Sequence, residues 1–541
     1  MSTLAERPAV IRPSSSAEAR RGPDALFLAL VAAFAAYALA LVWRTSFVVD
    51  GERYFTLFDD AMISMRYARN LAEGHGLVWN AGGERVEGIT NPLWTFWMAA
   101  LHALPLARAK VSLAVQLSSL ALLVANLFVV RALALRLSGG SRAVALGAAA
   151  LVATYLPLNN WALQGMEVGL AALLVSAAAL AALRALDEDR FPTAAYALLG
   201  VGTFVRPDMV VPLLAVWGFL VLADGPRRRR HLVTGLTVFV ACVALQTGLR
   251  VWYYGDPLPN TYYLKMTGYP LLPRITRGAW ALASMAWYAN PLLFLAPLAL
   301  LLFRRDRAVL LLAALVAAQM AYSVYVGGDA WEWWGGANRY VSVVMPLFLV
   351  LLALALHGAL AAALGRATVR GRPVGPRWTA LAWIGAVAFA AVSLNALKGP
   401  RSLGEWLGAT PPMHARDNAQ MARVGLWLAR HTPPETTVAV RWAGALPYFA
   451  DRPSIDLLGK SDRRVARLPM IGPPTGLHRW VGFWPGHLKW DYAWSIGALR
   501  PDVVFNPSYD APLLEALRGY HPVTVEGQTV YVRDGLSFPG A

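Results

Sequence analysis

Two adjacent carboxylates open a predicted helix in the stretch Phe55-Thr-Leu-Phe-Asp59-Asp60-Ala-Met-Ile-Ser-Met-Arg66-Tyr-Ala-Arg69-Asn70. The stretch follows the first long apolar run, which ends at Trp43. A pair of acids is costly near a bilayer, so its position calls for an explanation. The spacing predicts a helix that lies on the membrane surface, with both acids in its first turn. Arg66 follows Asp59 by about two turns and is expected on the same helix face.

The composition is that of an integral membrane protein. The 541 residues are 57% hydrophobic and only 15% charged, which is well outside the range of average soluble domains. The net charge is +17, but the arginines occur in short clusters between apolar runs. This pattern favours the inner surface of a membrane over nucleic acid as the basic protein's partner. The single Cys242 lies in an apolar run, which excludes an intrachain disulfide and indicates a packing residue.

The apolar runs predict about 11 to 13 transmembrane helices. Cytoplasmic loops are indicated by basic clusters at Arg131/Arg136/Arg142, Arg227–Arg230, Arg304/Arg305/Arg307 and Arg366/Arg370/Arg372/Arg377. With the Asp59–Asp60 loop outside and the Arg131 cluster inside, the two runs between them can make only one net crossing. One of these runs, 92–106 or 111–132, is therefore expected to be re-entrant or interfacial.

The chain divides into three predicted parts. Residues 1–25 form a cytoplasmic tail, and residues 26–397 form a membrane domain whose first outer loop is 45–91. From residue 398 to 541 the composition becomes that of a soluble domain, with short buried strands at 437–441 and 502–505, an amphipathic helix at 418–431 and a hairpin around Glu526-Gly527. The topology puts this compact α/β domain and the first outer loop on the same, outer side of the membrane.

The two acids of the opening stretch have two interpretations. They could form an N-cap pair neutralised by nearby arginines. Alternatively, one carboxylate is a general base that accepts the proton of an acceptor hydroxyl, while the other orients substrate or shifts the pKa of its neighbour.

Further polar residues are expected on the same outer side. Glu87 adds to an acidic rim, and Asn91 either caps the helix that Pro92 begins or contacts substrate. Glu167 stands at the mouth of an apolar run, where an unpaired acid is costly, and Arg206 is its candidate partner. That pair is either a structural salt bridge or a charged anchor for substrate.

Isolated cations suggest a phosphate site. Tyr262 and Lys265 end the loop Gly255-Asp256-Pro-Leu-Pro-Asn260-Thr-Tyr262-Tyr-Leu-Lys265, and Asp329 and Arg339 flank a loop rich in Gly and Trp. His487 and Lys489 gather in the C-terminal domain. Each cation either snorkels to lipid headgroups or lies in a surface turn, or else contacts a lipid-linked phosphate. His487 lacks the spacing of a metal ligand, so no metal or other cofactor is indicated.

The sequence resembles the bacterial family of terminal β-(1→2)-arabinofuranosyltransferases, the AftB-like GT-C enzymes. The motifs that carry the resemblance are Phe-Asp59-Asp60-Ala-Met-Ile-Ser-Met-Arg66-Tyr, Glu84-Arg-Val-Glu87-Gly-Ile-Thr-Asn91-Pro-Leu-Trp, Gly165-Met-Glu167, Gly-Asp256-Pro-Leu-Pro-Asn-Thr-Tyr-Tyr-Leu-Lys265, Gly-Gly-Asp329 and Pro-Gly-His487-Leu-Lys489-Trp-Asp491-Tyr.

The resemblance implies a GT-C fold and a multi-pass protein of the bacterial inner membrane with a periplasmic active site. It implies a polyprenyl-phosphate sugar donor, with arabinofuranose as the suggested sugar, and a glycan or glycolipid acceptor. The base falls on Asp59 or Asp60, and the candidates for the donor phosphate are Lys265, Arg339, His487 and Lys489. An inverting single displacement is implied as well. The alternatives are a transporter of lipid-linked saccharides, for which repeated halves with broken helices would be expected, and a non-catalytic envelope scaffold.

Overall fold

The structure is a computed structural model, and it describes residues 24–332, 338–365, 368–369, 372–373, 375–396, 399–472, 481–505 and 511–538. Nearly all of the predicted cytoplasmic tail, 1–25, lies outside these ranges, as do Arg366 and Arg370 of the last basic cluster.

The first three quarters of the described chain are almost entirely helical. The helices are α1 (Ala25–Trp43), α2 (Asp59–Ala72), α3 (Pro92–His102), α4 (Arg108–Leu137), α5 (Arg142–Thr154), α6 (Leu156–Leu163), α7 (Val168–Asp187), α8 (Thr193–Val205), α9 (Val210–Ala223), α10 (Arg228–Tyr254), α11 (Asn260–Met266), α12 (Leu271–Tyr288), α13 (Pro291–Phe303), α14 (Arg307–Tyr325), α15 (Arg339–Ser342), α16 (Met345–Gly365) and α17 (Pro376–Ala396). Two short antiparallel pairs accompany them: β1 (Ser46–Val49) with β2 (Glu52–Phe55), and β3 (Thr368–Val369) with β4 (Arg372–Pro373).

Seven helices in the described ranges are long and apolar enough to cross a membrane, and the number rises to 9 if two bent pairs each form one span. The bent pairs are α5 with α6, at 54°, and α12 with α13, at 99°. Two shorter apolar helices, Thr193–Val205 and Pro207–Ala223, lie between them in sequence. The chain is therefore a multi-pass membrane protein, while the count of 11 to 13 spans stays a prediction.

The two apolar runs 92–106 and 111–132, which were expected to make only one crossing together, correspond to α3 and α4, and α3 is much the shorter helix. It has 11 residues, whereas a span requires about 20, and α4 has 30. α3 also leaves Leu93, Phe96 and Trp97 exposed, as a helix at a lipid interface would. This agrees with the expectation that one of the two runs is interfacial.

The C-terminal part is a small α/β domain. Its elements are α18 (Pro400–Trp406), α19 (Ala415–His431), β5 (Val438–Val440), α20 (Ala445–Ala450), β6 (Ser454–Asp456), α21 (Arg463–Ala466), β7 (Val503–Phe505), α22 (Ala511–Ala516), β8 (Tyr520–Val525) and β9 (Gln528–Arg533). The sheet order is β6-β5-β7-β9-β8, with β6, β5 and β7 parallel and β9 antiparallel to both of its neighbours. Both predicted buried strands, the amphipathic helix and the hairpin are present.

α2 does not lie on a membrane surface, which corrects the sequence prediction. Most of its 14 residues are buried, because α3 and the C-terminal domain both pack against it. Arg66 donates to the Arg452 carbonyl at 2.8 Å and to the Ser454 hydroxyl at 3.0 Å. Its guanidinium therefore links the first outer loop to the C-terminal domain. Arg66 therefore has a structural role in this structure, and it lines none of the three cavities described below.

Candidate active site

Three neighbouring cavities meet at Asp60 and Lys460. The main cavity, about 530 Å³, reaches from these residues to Ser64, Asn91, Glu167 and Arg206. The aromatic cavity, about 320 Å³, is lined by Phe58, Asp59, Trp331, His414, Asn418, Arg441, Trp442 and His487. The loop cavity, about 310 Å³, is lined by Lys265, Asp329, Trp331, Arg339 and His487. A substrate group beside Asp60 could thus be approached from more than one side.

Asp60 is held between two cations that come from distant parts of the chain. Its Oδ1 accepts from Lys460 Nζ at 2.5 Å and its Oδ2 accepts from Arg339 Nη1 at 2.7 Å. Burial alone would raise the pKa of Asp60, but Lys460, Arg339 and Lys265 hold it well below its usual value. Asp60 is therefore ionised at neutral pH, and it fixes the positions of both cations.

Asp59 has a different environment although it is the next residue. Its Oδ1 accepts from the backbone N–H of Gly444 at 3.1 Å and of Ala445 at 2.9 Å. Burial raises the pKa of Asp59 to about 6, against the lowering effect of Lys460. A Cβ at position 444 would lie 1.9 Å from the Asp59 carbonyl oxygen, so only glycine allows this approach. The acids therefore do not form an N-cap pair, because the N-cap of α2 is Phe58.

Arg339 is fixed by a second carboxylate. Asp329 accepts from Arg339 Nε at 2.8 Å and from Nη2 at 3.0 Å, a bidentate pair, and its Oδ2 also accepts the Arg339 backbone N–H at 3.0 Å. The guanidinium lies 4.9 Å from the centroid of the Trp161 ring. Arg339 thus has little freedom to leave the cavity wall.

Lys265 differs from the other two cations because its ammonium has no hydrogen bond or ion pair within the described ranges. It lines both the main cavity and the loop cavity. Burial, followed by repulsion from Arg339, lowers the pKa of Lys265 to about 8. One turn earlier on α11, the buried Thr261 hydroxyl lines the main cavity and also lacks a hydrogen-bond partner in the described part of the chain.

The far end of the main cavity carries a buried polar network. Arg206 Nη1 donates to Glu167 Oε1 at 2.9 Å, and Asn91 Nδ2 donates to Glu167 Oε2 at 2.8 Å. Ser64 donates its hydroxyl to Asn91 Oδ1 at 2.9 Å. Glu167 and Arg206 are therefore a salt bridge that also faces the cavity. Asn91 makes no side-chain cap for α3, and Asp208 pairs with Arg206.

Several solved structures share the fold of this chain. Two solved structures of ArnT from Cupriavidus metallidurans superimpose on nearly the whole chain. The apo structure has a TM-score of 0.53 at 16% identity and covers 93% of this chain and 98% of that one. The structure bound to undecaprenyl phosphate has a TM-score of 0.52 at 14% identity and covers 94% and 97%. The archaeal oligosaccharyltransferase AglB from Archaeoglobus fulgidus, in complex with an inhibitory peptide and a dolichol-phosphate, has a TM-score of 0.56 at 11% identity and covers 95% and 75%.

This is the GT-C fold. The GT-C architecture with a C-terminal α/β domain was predicted from the sequence and is confirmed. The resemblance to terminal arabinofuranosyltransferases is confirmed as well: the Terminal beta-(1->2)-arabinofuranosyltransferase of Mycobacterium tuberculosis (strain H37Rv) is 30% identical over 221 residues. That match covers 38% of this chain and 34% of the relative, about a third of its length. A family model described as a domain of unknown function, DUF8728, matches residues 412–533.

Besides Arg66, three residues predicted for the site lie outside the cavities. Lys489 is fully buried and donates to the Tyr263 carbonyl at 2.9 Å and the Ala466 carbonyl at 2.8 Å. Lys489 thus has a structural role in this structure, and its assignment to the donor phosphate stays a prediction that the geometry does not support. Tyr262 is 41% exposed and lines none of the three cavities, so the geometry does not support a substrate contact for it either. Glu87 lies behind the main-cavity wall, where it pairs with Arg250 at 2.9 Å.

His487 lies at the aromatic and loop cavities, but as a neutral imidazole. Burial and repulsion from Lys460 lower the pKa of His487 to about 4. It can therefore donate or accept a hydrogen bond near a phosphate without adding charge. In the described ranges no three His, Cys, Asp or Glu residues are placed to hold a metal ion together. That no cofactor is required stays a prediction.

Sequence reasoning missed several site residues of the GT-C fold. The most important is Lys460, which pairs with Asp60 across 400 positions of the chain. The only signal was its place in Gly459-Lys-Ser-Asp462, a polar run after a short strand. Of the rings that line the aromatic cavity, His487 was selected, but Phe58, Trp331, His414 and Trp442 were not. These four come from separate stretches of the chain, so no local spacing relates them.

Proposed function

We propose that this chain is a membrane glycosyltransferase that transfers a sugar from a polyprenyl phosphate to the hydroxyl of a glycan or glycolipid acceptor. The observation that carries the proposal is the pair Asp59 and Asp60, two neighbouring carboxylates with opposite environments at the point where the cavities meet. The names of similar proteins also support the proposal. One is an arabinofuranosyltransferase, one is an oligosaccharyltransferase in complex with a dolichol-phosphate, and one is ArnT bound to undecaprenyl phosphate.

The donor phosphate binds to Lys265, Arg339 and Lys460. Arg339 and Lys460 are already shared with Asp60, whereas the Lys265 ammonium has no partner in the described ranges and faces the same space. A phosphodiester is a hydrogen-bond acceptor with one negative charge, and charge-assisted bonds from fixed cations suit it. As the bond to the sugar breaks, the phosphate gains charge, which these same cations stabilise.

The transferred sugar binds in the main cavity. Asn91, Glu167 and Thr261 offer it an amide, a carboxylate and a hydroxyl that has no partner in the described ranges. Arabinofuranose is the first candidate for the donor sugar, because the curated relative is an arabinofuranosyltransferase.

Asp59 is the general base. Its pKa of about 6 means that it is ionised at neutral pH but basic enough to take a proton. The acceptor hydroxyl gives its proton to Asp59 while its oxygen forms the bond to the anomeric carbon of the donor. The bond from that carbon to the phosphate oxygen breaks, and the phosphate leaves with the electron pair. This single displacement inverts the anomeric configuration. Environments that push two neighbouring pKa values apart are the usual basis for such a division of roles.

The chain would work in the bacterial inner membrane with this site on the periplasmic side. The domain limits that follow are the cytoplasmic tail 1–25, the membrane domain 26–397 with outer loop 45–91, and the extracytoplasmic domain 398–541. The basic clusters of the sequence support this orientation.

The purified full-length protein, incubated with a panel of synthetic polyprenyl-phosphate sugars and a mixed envelope glycan acceptor, is expected to transfer at least one of them. Product is measured by mass spectrometry, and decaprenyl-phosphoarabinose is the first donor to test. A chain with Asp59→Asn serves as the inactive control. If no donor yields product, the glycosyltransferase assignment is wrong, and a lipid-linked saccharide transporter or an envelope scaffold becomes the better assignment.

The pH profile of kcat/KM is expected to be bell-shaped, with limbs near the pKa of Asp59, about 6, and of Lys265, about 8. Activity rises with pH as Asp59 loses its proton and becomes a base. It falls again as the Lys265 ammonium loses its proton and its attraction for phosphate.

Lys265→Arg is expected to move the falling limb to higher pH, because a guanidinium keeps its charge. Burial raises the pKa of Glu87 to about 7, so Glu87→Gln is the control for the rising limb and should leave it unchanged. A rising limb that disappears in Glu87→Gln would contradict the assignment to Asp59.

A further inference from the structure

The aromatic cavity adjoins the main cavity at Asp60 and Lys460, and the two have otherwise different linings. It shares Asp60 and Lys460 with the main cavity, but Asp59 lines only the aromatic cavity. A group that reaches Asp59 therefore comes through the aromatic cavity.

Its walls are rings packed edge to face. The Phe58 and Trp331 centroids are 5.2 Å apart, with the planes at 88°. His414 continues the wall, 4.8 Å from Trp331 and 5.7 Å from Trp442. Such mutually packed rings hold their orientation and present apolar faces of fixed position.

Two polar side chains face this cavity without a partner. Asn418 is 1% exposed, and neither its Oδ1 nor its Nδ2 has a hydrogen-bond partner in the described chain. The Arg441 guanidinium also forms no hydrogen bond or ion pair in these ranges. Buried amides are nearly always hydrogen-bonded, so the unsatisfied Asn418 amide at this cavity is available to the polar groups of a ligand.

We propose that the aromatic cavity binds the terminal sugar ring of the acceptor, with the Asn418 amide hydrogen-bonding two neighbouring hydroxyls. This inference rests on the proposed function, and it adds the substrate class and a specificity residue. A sugar has C–H faces that suit ring walls and hydroxyls that both donate and accept, which matches an amide with both ends unused. One hydroxyl of a ring bound there lies beside Asp59, which takes its proton. Donor and acceptor then occupy different cavities that share Asp60.

The kinetic test compares Asn418→Leu with a control on the same helix, Gln420→Leu, whose side chain lies at the protein surface. Leucine keeps the branched shape of asparagine at Cγ and removes both polar ends. Asn418→Leu is expected to raise the acceptor KM at least about 10-fold while leaving the donor KM and the slow hydrolysis of donor by water unchanged. The control should match the wild type. An unchanged acceptor KM, or a raised donor KM in its place, would overturn the proposal.

A binding measurement separates this proposal from the proposed function. Saturation-transfer NMR on the full chain in detergent uses methyl α-D-arabinofuranoside and methyl α-D-mannopyranoside as probes. At least one probe is expected to receive saturation from the wild type and from Gln420→Leu, but not from Asn418→Leu. If binding follows this pattern while no donor supports transfer, the sugar site stands and the transferase assignment fails. If transfer occurs and Asn418→Leu behaves as the wild type in both assays, the sugar site fails.

Protein stability gives the last control. Asn418→Leu is expected to unfold at the wild-type temperature or above it, because the amide has no hydrogen bonds to lose within the described ranges. A large drop in the unfolding temperature would show that the amide has a structural partner, and would overturn its role as a ligand contact.

Discussion

Asp59→Asn is expected to lower kcat by about 10²–10⁴-fold, the usual contribution of a general base. Asparagine keeps an oxygen that can accept from the Gly444 and Ala445 amides, so the loop of the C-terminal domain should stay in place. What is lost is the oxygen that takes the acceptor proton. Transfer kinetics measure the loss, and the thermal shift caused by undecaprenyl phosphate shows that the phosphate site is intact.

Asp60→Asn is the matched control, because it is the neighbouring carboxylate with the opposite role. Removal of its charge leaves Lys460 and Arg339 with one fewer anion to share. Undecaprenyl phosphate should therefore bind this variant more tightly than the wild type, whereas Asp59→Asn should leave that affinity nearly unchanged. If Asp59→Asn retained activity within about 10-fold of the wild type and Asp60→Asn did not, the base would be Asp60.

Much of the fold could be predicted because membrane helices can be recognised from short stretches of sequence. Apolar runs of sufficient length define the spans, and the start of α2 at Asp59 follows from the two acids in its first turn. The hairpin of β8 and β9 follows from alternation around Glu526-Gly527. The environment of α2 could not be predicted, because an amphipathic helix can face a bilayer or a second domain with the same pattern. The domain that covers it begins more than 300 positions later.

The candidate site was predicted less completely, and the errors follow a pattern. The acids were found because a buried carboxylate is costly wherever it lies, so its presence alone indicates a function. An isolated lysine in the sequence does not by itself indicate a function. Lys265, Lys460 and Lys489 look alike in sequence, yet their environments differ. Lys265 has no partner in the described ranges, Lys460 pairs with Asp60, and Lys489 donates to two backbone carbonyls. Only the tertiary contacts separate them.

The C-terminal domain thus contributes residues of its own to the candidate site. Lys460 supplies one of the three cations, Gly444 and Ala445 orient Asp59, and Asn418 lines the cavity on the acceptor side. Because Arg69 and Arg66 of α2 also donate to this domain, the first outer loop and the domain form one continuous wall. A substitution among the residues that fix this wall should therefore affect both stability and substrate binding, and the clearest case is Arg339, which pairs with Asp60 and Asp329.

Arg339→Met is expected to destabilise the protein by about 3–5 kcal/mol, since it leaves buried carboxylates without their cation. Asp329 loses its only ion pair in the described ranges, and Asp60 keeps just Lys460. In the protein that still folds, undecaprenyl phosphate should bind about 10- to 100-fold more weakly, the value of a charge-assisted hydrogen bond to phosphate. Both effects are measured from thermal unfolding in detergent, without and with the lipid.

A substitution at a second buried arginine, Arg66, can separate the loss of stability from the loss of lipid affinity. Arg66→Met also removes several hydrogen bonds from a buried guanidinium, so it should lower the unfolding temperature, but it lies outside the three cavities and should leave lipid affinity unchanged. The double variant Arg339→Met/Asp329→Leu replaces a buried ion pair by apolar groups and should recover much of the stability without recovering lipid binding. If Arg66→Met weakened lipid binding as much as Arg339→Met does, the loss of affinity would follow from destabilisation of the protein around the cavities. Arg339 would then not be a phosphate contact.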